Sequence, residues 1–114
     1  MTPKENRLTK ETISSKLKFG RKIEGDLFKI VYVLQKNQEK PQISVVASKK
    51  TAPTAVIRNT LRRRAYSAVK PLISKVLLGS LVLIHYKKAD TSISLLAMTE
   101  EIEGLFRKIG LVQE

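Results

Sequence analysis

Residues 54–70, TAVIRNTLRRRAYSAVK, carry the side chains with the clearest chemistry. A helix turns about 100° per residue, so this segment can form a helix with two different faces. One face carries apolar residues that can be buried: Ile57, Leu61, Ala65, Ala68 and Leu72. The opposite face carries basic and polar residues: Arg58, Asn59, Arg62, Arg63, Tyr66 and Lys70. Guanidinium groups bind phosphate through paired hydrogen bonds, so the segment is predicted to bind nucleic acid.

The spacing of the arginines supports this prediction. Charged helix faces are usually only solvated, but such faces mix positive and negative residues. Arg58 and Arg62 are four residues apart, and no carboxylate lies near them in sequence. Like charges at this spacing destabilise a helix by about 0.2 to 0.5 kcal/mol per pair. An anionic partner would offset that cost.

Residues that could catalyse a reaction directly are scarce. The chain has no cysteine, and its single histidine, His85, lies in an apolar segment that favours a structural role. Glu100, Glu101 and Glu103 are spread around a predicted helix instead of being stacked four apart, which disfavours a metal site. No nucleophile elbow, phosphate-binding loop or zinc-ligand spacing is found. The sequence predicts no catalytic side chain and no metal site in the protein.

The charge of the whole chain points to the same kind of partner. Twenty-two Lys and Arg residues oppose ten Asp and Glu residues, which gives a net charge of +12. The 50 residues between Glu39 and Asp90 contain no acid and eleven basic residues. Such asymmetry attracts polyanions to one side of a molecule. Nucleic acid is favoured over a membrane surface, because no predicted helix combines a basic face with an aromatic one.

The predicted elements form one small domain over residues 1–114, with a disordered polar tail at 1–6. Periodicity predicts the order helix, strand, strand, helix, strand, helix, at 7–19, 27–34, 43–48, 54–70, 81–86 and 91–109. Thr54 is expected to cap the central helix and Pro71 to end it, because proline cannot continue the hydrogen-bond pattern. The last helix is expected to start at Thr91 or Ser92 and to end before Gly110.

These elements predict an α+β fold, a two-layer sandwich with helices packed on a mixed sheet. No apolar run is long enough to span a membrane, and the first residues lack the apolar core of a signal peptide. A soluble cytoplasmic protein is therefore expected.

The run SVVASKKTAPTAVIRNTLRRRAYSAV resembles the signature of the protein subunit of bacterial ribonuclease P. The matching positions are Ser48-Lys49-Lys50, Ala55-Val56-Ile57-Arg58-Asn59 and Arg62-Arg63, and weaker similarity extends over about residues 7–112. The chain departs from the family at Thr60 and Tyr66, where arginine is common. It also has Ile13 and Leu17 where phenylalanines are usual, and one extra residue before Ala55.

The resemblance implies a left-handed crossover between parallel strands, although the general rule favours the opposite hand. It also implies two partners, a catalytic RNA and a precursor tRNA whose 5′ leader is removed. On this interpretation, Mg²⁺ held by the RNA and the substrate activates the attacking water. The isolated protein is expected to be a monomer.

The resemblance and the helix pattern together assign residues to two contacts. The catalytic RNA is assigned the residues Lys49, Lys50, Arg58, Asn59, Arg62 and Arg63. The single-stranded leader is assigned a groove between the predicted first helix and the sheet, lined by Lys10, Ile13, Leu17 and Tyr32, with Tyr66 as a further stacking candidate. Stacking on an aromatic ring tolerates any base. Core packing is the alternative for Ile13, Leu17 and Tyr32, and a bond within its own loop is the alternative for Asn59.

Two other classes of protein share some of these features. A basic structural protein of the ribosome or of another ribonucleoprotein would have a similar charge and a similar helix, so only the ordered motif argues against it. A DNA-binding protein would insert the central helix into a major groove. That class is disfavoured, because no short helix joined by a turn flanks residues 54–70.

Overall fold

The computed structural model describes residues 20–34 and 40–112. The predicted tail at 1–6 and the predicted first helix at 7–19 lie outside the described residues. The elements are β1 Arg21–Glu24, β2 Phe28–Val33, β3 Gln42–Val46, α1 Ala55–Val69, a short 3-10 helix Lys70–Lys75, β4 Leu81–Tyr86 and α2 Leu95–Lys108. Within the described residues, no helix is long and apolar enough to cross a membrane.

The four strands form one mixed sheet in the order β1-β2-β4-β3. β2 pairs antiparallel with both β1 and β4, whereas β3 pairs parallel with β4. Since β3 and β4 are parallel neighbours, α1 must form a crossover between them. The mixed sheet and its helices confirm the predicted α+β class. The left-handed sense of the crossover and the extent of one domain over residues 1–114 stay predictions.

Strand β1 was missed by the sequence analysis. Its four residues, RKIE, contain one apolar side chain, so the alternation that indicates a strand is weak. The strand forms because Ile23 pairs with Ile30 of β2 and packs against the core. A tight turn joins the two strands, closed by the Gly25 N–H, which donates to the Phe28 carbonyl over 2.8 Å. A strand with so little apolar surface depends on its neighbour.

The main core lies between one face of the sheet and the two helices. Alternate residues of the three longer strands contribute to it: Phe28, Ile30, Tyr32, Ile43, Val45, Val82, Ile84 and Tyr86. The opposite face carries a smaller cluster of Val31, Leu81 and Leu83. β2 is therefore apolar on both faces and lies inside the sheet, between β1 and β4. The buried hydroxyl of Tyr86 donates to the Leu61 carbonyl over 2.8 Å and ties β4 to α1.

Helix α1 begins and ends where the sequence indicates. The Thr54 hydroxyl accepts the Ile57 N–H over 3.3 Å, so Thr54 is the N-cap. The helix ends at Val69, and Pro71 lies in the 3-10 helix that follows. The buried face, however, begins one turn later than predicted. Ile57 is 37% exposed and Val56 75% exposed, because the first turn of α1 extends beyond the core.

Helix α2 starts later than predicted. Its N-cap is Ser94, whose hydroxyl accepts the Ala97 N–H over 3.1 Å, and not Thr91 or Ser92. Ser92 is used in a preceding turn, where its N–H donates to the Asp90 carboxylate over 2.9 Å. The C-terminal prediction is confirmed. Gly110 has a φ of 75°, and its N–H donates to the Arg107 carbonyl, a left-handed cap that favours glycine.

Candidate RNA interface

The loop between β3 and α1 presents two lysines to solvent. The Ser48 hydroxyl accepts the Thr51 N–H over 3.1 Å, and the Ser48 carbonyl accepts the Ala52 N–H over 2.8 Å. Ala52 is fully buried and anchors the end of this turn in the core. Lys49 and Lys50 lie at its exposed tip. A fixed turn thus carries two adjacent ammonium groups.

Arg58 lies against this loop and not in open solvent. Its Nη1 donates to the carbonyls of Ala52 and Pro53, with both N–O distances at 2.9 Å. The side chain is half-buried. The sequence assigned Arg58 to RNA phosphate, but one end of its guanidinium is bonded to the loop that precedes α1.

The remaining assigned residues lie along α1. Nη2 of Arg62 donates to Oδ1 of Asn59, one turn earlier. Asn59 therefore bonds a side chain of its own helix, a contact that the sequence does not predict. The side chains of Asn59 and Arg63 are exposed, and Arg62 is half-buried. Thr60 donates its hydroxyl to the Val56 carbonyl over 3.0 Å.

We call the loop tip and this side of α1 the basic flank, which consists of Lys49, Lys50, Arg58, Asn59, Arg62 and Arg63. None of its five cations forms an ion pair with a carboxylate in the described part of the chain. The ion pairs found there join Glu103 of α2 to Lys75 over 3.7 Å and to Arg107 over 3.3 Å. Positive charge without nearby acids raises the local potential and attracts a polyanion.

Tyr66 does not present its ring on the basic flank. It is half-buried, packs against the main core, and its hydroxyl accepts the Val45 N–H over 3.2 Å. β3 is at the edge of the described sheet, so its outward N–H groups need partners other than a strand. Tyr66 supplies one such partner. The phenol therefore joins α1 to β3, and the expectation that the ring of Tyr66 also stacks on a base stays a prediction.

Tyr32 belongs to the main core and is 9% exposed. The residue also borders a cavity of about 320 Å³, which is lined by Gly20, Arg21 and Leu34 as well. This placement agrees with core packing, the alternative that the sequence left open for Tyr32. Lys10, Ile13 and Leu17 lie outside the described residues, so the leader groove stays a prediction.

Two charged residues have structural roles that the sequence did not reveal. Nη2 of Arg64 donates to the Ile93 carbonyl and connects α1 to the segment before α2. Glu101, one of the three glutamates that the sequence spreads around the last helix, accepts with its carboxylate the N–H groups of Leu27 and Phe28 at the β1–β2 turn. In the sequence, the position of Glu101 beside Ile102, a residue of the buried stripe, is the feature that indicates a contact with the rest of the fold.

His85 lies on the sheet face opposite the helices and is half-buried. Burial lowers its pKa from the usual 6.5, and the positive charges of Lys29 and Lys22 lower it further. Lys29 is its cross-strand neighbour on β2. Among the described residues, no group of three or more acidic or histidine side chains could hold a metal ion.

The comparisons with known proteins agree on one family. The family model described as Ribonuclease P matches residues 2–110. No curated protein sequence matches the chain. Among solved structures, the RNase P protein of Staphylococcus aureus is 18% identical, with a TM-score of 0.78, over 96% of this chain and 100% of the other. The RNase P protein of Thermotoga maritima, solved in complex with a fluorophenyl thiourea, is 15% identical, with a TM-score of 0.74, over 90% and 98%.

The structural matches establish a shared fold, and the family model spans nearly the whole chain. A generic basic ribonucleoprotein component or a DNA-binding protein would not be expected to match it. With the basic flank and the mixed sheet, the match assigns the function of the family, which is RNA binding and processing of the tRNA leader. The chain belongs to the ribonuclease P protein family.

Proposed function

We propose that this subunit assists cleavage by binding RNA and supplies no catalytic side chain. The basic flank binds the RNA subunit, and the precursor tRNA is held between the protein and that RNA. Mg²⁺ bound by the RNA and the substrate supplies the metal chemistry of the reaction. The observation that carries the proposal is the basic flank itself, five cations with no ion-paired carboxylate in the described part of the chain.

The chemistry of the flank suits a phosphate backbone. A guanidinium donates two parallel hydrogen bonds to phosphate, whereas the ammonium groups of Lys49 and Lys50 act as point charges that follow an irregular chain. Asn59 uses its oxygen to accept from Arg62, which leaves the amide N–H groups as the end that it can offer to RNA. Each phosphate contact displaces condensed counterions, so binding by such a surface depends strongly on salt.

The acidic residues of α2 do not fit a dedicated magnesium site. Glu101 accepts two backbone N–H groups, and Glu103 pairs with Lys75 and Arg107. These contacts engage two of the three carboxylates that the sequence had considered for a metal. On this proposal, no carboxylate of α2 holds the magnesium ion.

For the leader, we propose the sheet face opposite α1 and α2 as a further surface; the groove predicted around Tyr32 involves the other face of the sheet and stays a prediction. Lys22 and Lys29 lie on the face opposite the helices next to His85, close enough for both lysines to lower the pKa of the imidazole. Two ammonium groups beside an imidazole suit the phosphates of a single strand of variable sequence. The isolated protein is proposed to be a monomer, and its RNA partner and tRNA substrate support a cytoplasmic location.

Reconstitution with a bacterial ribonuclease P RNA tests the proposal. Leader removal from precursor tRNA at limiting magnesium is expected to require both components. The protein is also expected to increase the affinity for precursor tRNA over mature tRNA. RNA binding without any stimulation of cleavage would contradict the proposal. An equal increase in affinity for precursor and mature tRNA would contradict the proposed contact with the leader.

Variants of the basic flank test its residues. Arg62→Ala and Arg63→Ala are each expected to weaken binding to the RNA and to reduce the log–log salt slope by about 0.7 to 0.9. Lys108→Ala, at the end of α2 and outside the flank, is the matched control for the loss of one charge. At saturating protein the cleavage rate should return to that of wild type, because these residues only bind. An equal slope change in the control would show that bulk charge, and not the flank, binds the RNA.

A further inference from the structure

The two hydrogen bonds of Arg58 give this residue a role distinct from that of its neighbours. We infer that Arg58 is a positioning residue, which holds the loop of residues 48–53 so that Lys49 and Lys50 face the RNA. Its contribution to RNA affinity passes through those two lysines. The inference rests on the proposed function, because it concerns how the basic flank binds.

The contacts of Arg58 are directed at the backbone of the loop. Both bonds come from Nη1, and both acceptors are carbonyls of adjacent residues, Ala52 and Pro53, at 2.9 Å. The bond to the Ala52 carbonyl is partly buried, so that oxygen would be destabilised by the loss of its donor, whereas the bond to Pro53 is exposed. The first turns of α1 are thereby connected to the end of the loop.

Arg58 adds its two bonds to restraints that the loop already has. The turn of this loop is closed by the Ser48 hydroxyl and by the bond between the Ser48 carbonyl and the Ala52 N–H. Lys49 and Lys50 lie between these points and are exposed. A loop that is fixed before binding loses less conformational entropy when it meets its partner. Arg58 therefore increases affinity by fixing the two lysines in the free protein.

Arg62 offers a matched control on the same helix. It is also half-buried, but its guanidinium bonds the side chain of Asn59 and not the loop. Substitution by methionine retains most of the aliphatic stem of either arginine and removes the charged end. Arg58→Met and Arg62→Met therefore remove equal charge and differ in the contact with the loop.

The test is a double-mutant cycle on affinity for ribonuclease P RNA, measured across a range of salt concentrations. Each methionine variant is made in the wild-type protein and in the Lys49→Ala/Lys50→Ala protein. Arg58→Met is expected to weaken binding about fivefold in the wild type but less than about twofold when both lysines are absent. Arg62→Met is expected to weaken binding by the same factor in both proteins.

Proteolysis of the free protein gives an independent readout. Trypsin cleaves after lysine, so a loosened loop is expected to be cut faster at Lys49 and Lys50. Arg58→Met should raise this rate severalfold, whereas Arg62→Met should leave it unchanged. Thermal unfolding of each variant separates local loosening of the loop from loss of the whole fold.

The outcomes distinguish the inference from the proposed function. Arg58→Met could instead weaken RNA binding by the same factor in the wild-type and the Lys49→Ala/Lys50→Ala proteins and lower the salt slope by about 0.7 to 0.9. That result would show a direct contact between Arg58 and a phosphate and would overturn the inference. An unchanged rate of loop cleavage would overturn it as well. If removal of Lys49 and Lys50 left the salt slope unchanged, the assignment of the loop to RNA would fail, and the inference would fail with it.

Discussion

Replacement of Glu101 by alanine is expected to destabilise the fold by about 1.5 to 3 kcal/mol. The Glu101 carboxylate is half-buried and accepts the Leu27 N–H at 2.9 and 3.1 Å and the Phe28 N–H at 3.0 Å. These bonds connect α2 to the β1–β2 turn, 73 and 74 residues away in sequence. Without the carboxylate, two backbone donors at the start of β2 lose their partner.

The magnitude follows from the charge of the acceptor and the exposure of the site. A hydrogen bond to a charged group contributes about 1.5 to 3 kcal/mol. Two such donors would give about twice that value, and we halve it because water can reach a half-buried turn. The turn is also closely packed, since a Cβ at Gly25 would lie 3.1 Å from Glu101 Cδ. The expected loss is a large fraction of the total stability of a small domain, which is about 5 to 15 kcal/mol.

Urea unfolding, followed by far-UV circular dichroism, measures this loss. Glu101→Gln keeps one acceptor oxygen and is expected to lose less than Glu101→Ala. Glu100→Ala removes the adjacent, exposed carboxylate and is expected to change stability by less than about 0.5 kcal/mol. If Glu101→Ala and Glu100→Ala had equal free energies of unfolding, the carboxylate would not hold the turn and the reasoning would be refuted.

Two further predictions concern Tyr66 and His85. Tyr66→Phe removes the acceptor of the Val45 N–H and is expected to lower the free energy of unfolding by about 0.5 to 1.5 kcal/mol. The salt slope of RNA binding is expected to stay unchanged. A lower slope would show that Tyr66 contacts RNA. Burial and two lysines lower the pKa of His85 below 6.5, so the unfolded state binds the proton first. Stability is therefore complete above about pH 6.5 and falls as the pH drops below it. The urea midpoint of wild type is expected to fall between about pH 7.5 and 5.5, and that of His85→Gln is expected to fall less. The same fall in both proteins would contradict this prediction.

Most of the secondary structure could be predicted, because its signals are local. Strands β2, β3 and β4 are rich in apolar and β-branched residues, and Thr54 and Gly110 have the chemistry of helix ends. The predictions failed where the local signal was weak or where neighbouring residues gave the same signal. β1 contains a single apolar residue, and Thr91 and Ser92 have the same capping chemistry as the observed N-cap, Ser94. Which residue became the N-cap depended on the turn that Asp90 makes with Ser92.

The sequence also identified which residues of the candidate site are basic, but not what each one contacts. Arg58 and Arg62 are equivalent by helical pattern, yet Arg58 bonds loop carbonyls and Arg62 bonds Asn59. A tyrosine has an apolar ring and a polar hydroxyl. The position of Tyr66 on the helix therefore did not indicate whether its side chain contacts RNA or β3. Periodicity gives the direction of a side chain and not the element that lies in that direction.

The sequence by itself determined the charge, the segment that carries it, the resemblance to a family and most of the strands and helices. Each of these follows from residue types and from spacings of a few positions. The tertiary structure decided that Glu101 bonds the β1–β2 turn, that Tyr66 bonds the edge strand β3 and that Arg58 bonds the loop of residues 48–53. These contacts join residues on different elements. Their formation depends on how the helices pack on the sheet, because a buried polar group bonds whichever partner that packing brings within reach.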